Sequence, residues 1–182
     1  MARALVVMAD GFEEIEAVTI VDVLRRAGVE TTVAAVGSTR TLTGGHGIRL
    51  EADATLDAVR EQSWDVVVLP GGAQNAKTLR EDARVQALLR AQNEAGRRLA
   101  AICAAPTALA RAGVLERREA TCYPSFEGQL EGARIRNQPV VVDGHVTTSR
   151  GPGTAMRFAL TLVEQLVGRS VAERVREQML VT

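Results

Sequence analysis

The sequence predicts an α/β fold with a mostly parallel sheet covered by helices on both faces. Two observations predict it. Residues 4–9, 65–69 and 99–102 are short, almost unbroken apolar runs, the composition of strands buried on both sides. Between them lie segments of helical period, and strands joined through helices without repeats or low-complexity linkers are joined in parallel. At 182 residues the chain suits one domain, 1–182, with a sizeable core, and is too short for two ordinary ones.

The elements follow in order. Residues 4–9 form the first strand, ended by Asp10-Gly11. Residues 13–27 suit a helix closed by Gly28, where a left-handed residue ends helices. Residues 30–36 read as the second strand, and residues 39–50, with Gly44, Gly45 and Gly47, as a small hairpin excursion. A short helix over 55–61 precedes the strand 65–69, which Pro70-Gly71-Gly72 stops. A helix through Val85, Leu88 and Leu89 leads to the strand 99–102. Ala105-Pro106 then opens a helix running to Gly113, because proline's missing N–H costs nothing in a first turn. Residues 140–148 read as a hairpin about Asp143-Gly144, which makes the sheet edge mixed. Phe158, Leu162 and Leu166 mark a helix over 154–167, and Ser170 to Glu173 has the spacing of a capping box for a last helix.

Composition excludes several function classes. Lys+Arg and Asp+Glu number 22 each, so the formal net charge is zero and nothing calls for nucleic acid or an anionic membrane as partner. Arg97-Arg98 and Arg117-Arg118 read as solvated surface. Cys103 and Cys122 form no CxxC and the two histidines are far apart, so no metal site is expected. Pro70-Gly71-Gly72 is not GxGxxG, which disfavours a dinucleotide, and no cofactor is expected. The first apolar run meets Asp10 too early for a signal peptide, and no apolar run reaches membrane-spanning length. The expectation is a cytoplasmic protein with reduced thiols.

In a doubly wound sheet, sites form beyond the carboxyl ends of the strands. Asp10-Gly11 with Glu13 to Glu16, Pro70-Gly71-Gly72, and Cys103-Ala104 all fall at such ends. Cys103 sits in a strand-to-helix turn where free amides favour an anion, so its thiolate fraction is expected to rise. Gly71-Gly72 lets backbone amides approach a bound group closely. Glu13 and Glu16 border the apolar stripe Ala17, Ile20, Val21 and Leu24, while Glu14 faces further away, and periodicity does not choose between Glu13 and Glu16. A carboxyl partly buried against the cysteine would hold its proton and could shuttle it. His46 and His145 read as surface residues, and Arg150 reads equally well as an anion ligand or an ion-pair partner.

Five stretches carry a resemblance to a known family: residues 11–16 (GFEEIE), 22–28 (DVLRRAG), 65–72 (DVVVLPGG), 100–106 (AAICAAP) and 148–154 (TSRGPGT). The sequence resembles the ThiJ/PfpI (DJ-one) superfamily nearly end to end, in the branch of the Parkinsonism-associated protein and YajL. The resemblance implies a flavodoxin-like three-layer sandwich. It points to Glu16 rather than Glu13 as the protonated neighbour of a nucleophilic, oxidation-sensitive Cys103. It further implies oxyanion-type backbone donors at Gly72 and Ala104, a lining of Gly71, Tyr123, Arg150, Pro152 and His46, and a homodimer through Asp22, Arg25 and Arg26. One departure matters: Tyr123 stands where the family often has a histidine, and a phenol is a poor proton acceptor at neutral pH. This disfavours triad hydrolysis and moves the acid–base work to Glu16. The expected substrate is a small aldehyde such as methylglyoxal, or an early glycation adduct. The alternative is a peroxide-sensing, redox-regulated chaperone with Cys103 oxidised to sulfinate.

Overall fold

The computed structural model describes all residues from Met1 to Thr182. Strand β1 (Arg3–Met8) leads through helix α1 (Glu14–Arg26) to β2 (Glu30–Ala35). A hairpin of β3 (Thr41–Thr43) and β4 (Arg49–Glu51) precedes β5 (Ala54–Thr55) and the single turn α2 (Leu56–Val59). Then come β6 (Val66–Leu69), α3 (Ala73–Glu81), α4 (Ala83–Glu94), β7 (Arg98–Ile102) and α5 (Pro106–Arg111). The short strands β8 (Glu119–Ala120) and β9 (Arg134–Ile135) flank a 3-10 helix over Pro124–Gln129. The chain closes with β10 (Val140–Asp143), β11 (Val146–Ser149), α6 (Ala155–Val167) and α7 (Arg169–Gln178).

Seven strands form the central sheet in the order β10-β11-β7-β6-β1-β2-β5. Every neighbouring pair is parallel except β10 with β11, so the mixed edge lies where the Asp143-Gly144 hairpin puts it. The apolar runs are continuous because successive side chains feed two separate cores. Ala4, Val6, Met8, Val66, Val68, Ala100 and Ile102 pack with Ile20, Leu24, Phe158 and Leu162 beneath α1, α6 and α7. Leu5, Val7, Val67, Leu69, Leu99 and Ala101 pack on the opposite face with Trp64, Leu79, Leu89 and Leu109. Each fully buried leucine contributes roughly 1.5–3 kcal/mol.

Several expectations need correction. The single helix expected through Val85 is two, because Asp82 takes an extended conformation, ends α3 and caps α4 by accepting from Arg84 N and Val85 N. The last helix begins at Arg169 after Gly168 and has no side-chain cap. Glu173 is drawn instead into an ion pair with Arg169 at 2.7 Å, so Ser170 to Glu173 is not a capping box. The pairing of β8 with β9 was not legible in sequence, since each strand has only two residues.

Candidate active site

The parallel pairing of β1, β6 and β7 brings their carboxyl ends side by side, and the loops that follow interlock. Glu13 N donates to Gly71 O at 3.0 Å, and Cys103 N donates to Ser149 O at 3.0 Å at the end of β11. Cys103 has φ +63°, the left-handed region that a non-glycine residue enters only where its surroundings hold it. The residue is 9% exposed.

Glu16, on α1, is fully buried. Its Oε2 accepts from Gly71 N at 2.7 Å, whereas Oε1 is buried without a partner in normal hydrogen-bond geometry. Gly71 is glycine for a steric reason: a Cβ there would overlap both the Glu16 carboxylate and the Cys103 Cβ. Gly72 has φ +95°, and a Cβ on it would strike the Gly11 carbonyl. The two glycines therefore allow acid, thiol and backbone to meet.

Burial, opposed by the Gly71 amide, pushes the Glu16 carboxyl up to about 7. Burial, with repulsion from an ionised Glu16, pushes the Cys103 thiol up to about 12, against the pull of the Gly72 and Ala104 amides. The expected gain in thiolate from the turn alone is thus overturned by desolvation. The two groups titrate as one system. Its first proton leaves near neutrality, and its second is held by the charge the first leaves behind. When Glu16 keeps the proton, the repulsion is gone and the acid can donate to the sulfur, which favours the thiolate.

The neighbouring carboxylates have other tasks. Glu13 Oε2 accepts from Glu16 N at 2.7 Å, capping α1, which leaves Glu16 rather than Glu13 beside the sulfur. Glu14 is buried, contrary to its expected outward position. The glycine-rich hairpin folds onto it: His46 N donates to Oε1 at 2.6 Å, and the ring Nδ1 lies 2.8 Å from Oε2. Burial raises the Glu14 carboxyl, but the His46 bonds outweigh it and leave it below its ordinary value; the same bonds raise the imidazole. His46 is exposed as expected, and its ring is bonded to Glu14 rather than to the thiol. Ligand atoms of Glu13, Glu14 and His46 lie within 4.8 Å of one another. Their hydrogen bonds already account for that grouping. His145 is partly buried, with Nε2 2.8 Å from Asn93 Oδ1.

Tyr123 is 46% exposed, and its N–H donates to Cys103 O at 2.9 Å. Arg150 pairs with no carboxylate; its guanidinium is held by the Asn137 side-chain oxygen. Pro152 opens a 3-10 turn whose Thr154 Oγ1 lies 2.7 Å from Ser149 Oγ, behind the Cys103 backbone. Asp22 pairs with Arg26 at 2.6 Å and Arg25 with Asp53 at 2.7 Å. Asp22, Arg25 and Asp53 join Val18, Val21 and Leu50 around a groove of about 310 Å³ that lies away from Cys103. Sequence reasoning missed Asn75, which is fully buried and bonded to both the β1 and β6 loops. The available signal was an asparagine one helical turn before Leu79, on the apolar side of α3.

Comparison with known proteins agrees with this architecture. The model of the DJ-1/PfpI family matches residues 2–165. Protein dj-1beta of Drosophila melanogaster is 42% identical over 180 residues, covering 98% of this chain and 96% of its own. Its crystal structure superposes with a TM-score of 0.97 at 41% identity, over 100% of this chain and 98% of that one. A Caenorhabditis elegans relative named glutathione-independent glyoxalase DJR-1.2 is 36% identical, covering 86% of this chain and 83% of its own. Toxoplasma gondii DJ-1, solved in an oxidized form, superposes with a TM-score of 0.95 at 36% identity, over 99% and 98% of the two chains.

Proposed function

The chain belongs to the DJ-1/PfpI family, and from that premise we propose that it is a cofactor-free enzyme acting on methylglyoxal, glyoxal or their early adducts with amines and thiols. The observation that carries the reading is Glu16, buried with one free carboxyl oxygen and held near neutrality, beside a Cys103 thiol approached by two backbone amides. In this reading the Cys103 thiolate attacks the aldehyde carbon, and the oxygen takes a proton to give a hemithioacetal. The amides of Gly72 and Ala104 stabilise the charge that develops on that oxygen. Glu16 carries the proton from the former aldehyde carbon to the neighbouring ketone carbon, by way of an enediol. The first carbon is oxidised and the second reduced, so no external oxidant enters. Water then cleaves the resulting thioester, releasing lactate and the thiol. The name of the worm relative supports the substrate class.

The reading places the protein in the cytoplasm as a homodimer, with α1 as the contact. Ile15 and Val18 stand 59% and 54% exposed on α1, an apolar pair that a second copy would cover. No helix is long and apolar enough to cross a membrane.

The test is methylglyoxal consumption by the wild type, Cys103→Ser and Glu16→Gln. Loss of at least about a hundredfold in each variant is expected from removing a nucleophile or its proton carrier. Equal rates in all three would reject the reading.

One observation favours a second use of the same site. The amides that would bind an oxyanion would equally hold the oxygens of a sulfinate, formed as the thiolate reduces two peroxides to water. Exposure to mild peroxide should add two oxygens to Cys103. That gain with no aldehyde turnover, and with holdase activity, would assign the site to sensing and chaperoning.

A further inference from the structure

We propose that Asn75 is a positioning residue of the Cys103 site: its side-chain amide sets the direction of the two backbone N–H groups that face Glu16 and Cys103. The inference rests on the cysteine–acid reading above, which uses both groups. Asn75 lies in the first turn of α3, three residues beyond Gly72, with no exposed surface. Its Nδ2 donates to Pro70 O at 2.8 Å and to Gly71 O at 3.0 Å, and its Oδ1 accepts from Ala9 N at 2.7 Å. One side chain thus ties the end of β1 to the loop after β6.

The two carbonyls it holds are not arbitrary. Pro70 C=O shares a planar peptide unit with Gly71 N–H, and Gly71 C=O shares one with Gly72 N–H. In a trans peptide the C=O and N–H point in opposite directions, and the chain has no cis bonds. Drawing both carbonyls toward Asn75 therefore turns both N–H groups away from it. Gly71 N–H meets Glu16 Oε2 at 2.7 Å, and the Gly72 N–H lies on the Cys103 side of the loop, where it favours the thiolate. The positions must be glycine because a Cβ at either would collide with its surroundings. Glycine is also the residue whose peptide planes turn most freely. A site that needs glycines there needs an outside group to hold them, and Asn75 supplies both donors.

Asn75→Asp preserves the shape while exchanging the donors for an acceptor. Asn75→Ser, which cannot reach both carbonyls, serves if the aspartate variant does not fold. Lys77→Gln, exposed on the same helix, is the control. Amide exchange at Gly71 and Gly72 should quicken at least about tenfold in the Asn75 variants, the loss expected when a buried hydrogen bond is undone. The midpoint of the pH profile for Cys103 alkylation by iodoacetamide should rise by about one unit, with the high-pH plateau unchanged. A merely structural asparagine would lower the melting temperature and leave that midpoint in place, and this result would overturn the proposal. Wild-type Cys103 that titrates as an unassisted buried thiol would sink the cysteine–acid reading instead. Even then, unchanged exchange at Gly71 and Gly72 would by itself overturn the role of Asn75.

Discussion

Cys103 and Cys122 are both buried free thiols, and burial pushes each up to about 12. Their surroundings separate them. Cys122 sits at 0% exposure with its sulfur 3.3 Å from Tyr123 O, a bond in which the thiol keeps its proton. Beyond burial it feels only Glu127, which opposes ionisation, and Arg150, which favours it. Cys103 has a strained backbone, a neighbouring acid with a free oxygen, and two backbone amides that favour its ionised form. Burial alone makes a thiol inert; burial beside a group that can take over the proton makes a coupled pair with a first ionisation near neutrality.

Three experiments would break or sharpen this contrast. The largest effect is selectivity of alkylation. At pH 7.5 iodoacetamide should modify Cys103 at least about a hundredfold faster than Cys122, read by peptide mass, because only the thiolate reacts and only Cys103 has an acid beside it that can take over the proton. Equal labelling would erase the distinction between the two sulfurs.

The next concerns stability. Between the ordinary carboxyl value of 4.5 and about 7, the folded chain keeps a proton on Glu16 that the unfolded chain has released. The unfolded state binds fewer protons there, so stability falls as pH rises through that window. The fall should be on the order of 2–3 kcal/mol by urea unfolding. Glu16→Gln should flatten it, and Cys122→Ser should leave it intact. A wild-type profile flat from pH 4.5 to 7 would mean the acid ionises freely.

The smallest effect belongs to Cys122. Glu127→Gln removes a charge that opposes its ionisation, and should quicken its alkylation by less than about threefold without touching Cys103. A larger change would mean that charge, rather than burial, governs Cys122.

Much of the fold was legible because the buried strands leave an unambiguous mark: residues 4–8 and 66–69 are apolar at every position, as feeding two cores requires. The sheet edge was legible through Asp143-Gly144. Less was legible where tertiary context decides. Asp82 ends one helix and caps the next, a double role that local propensity does not express. The candidate site was legible in its parts, since glycines and a cysteine at strand ends are sequence features. What the sequence could not give was the division of labour among Glu13, Glu14 and Glu16. These three carboxylates within one helical turn become a helix cap, a clasp for the hairpin and a buried acid through contacts with residues 16, 46 and 71. The direction of the Cys103 shift was also misread, because helix-end amides are local while desolvation is set by the whole fold.

The strict alternation along β1 also sets where the gene can be lengthened. One extra codon between Ala4 and Met8 would hand the residues of each hydrophobic layer to the other, misfitting both at a stroke. The tip between β3 and β4 feeds neither layer around Gly47, which has φ +85° and open space about it. A tag or reporter domain grafted beside Gly47 should leave both layers intact at the cost of the His46 clasp on Glu14, whereas the same graft inside β1 should yield insoluble protein.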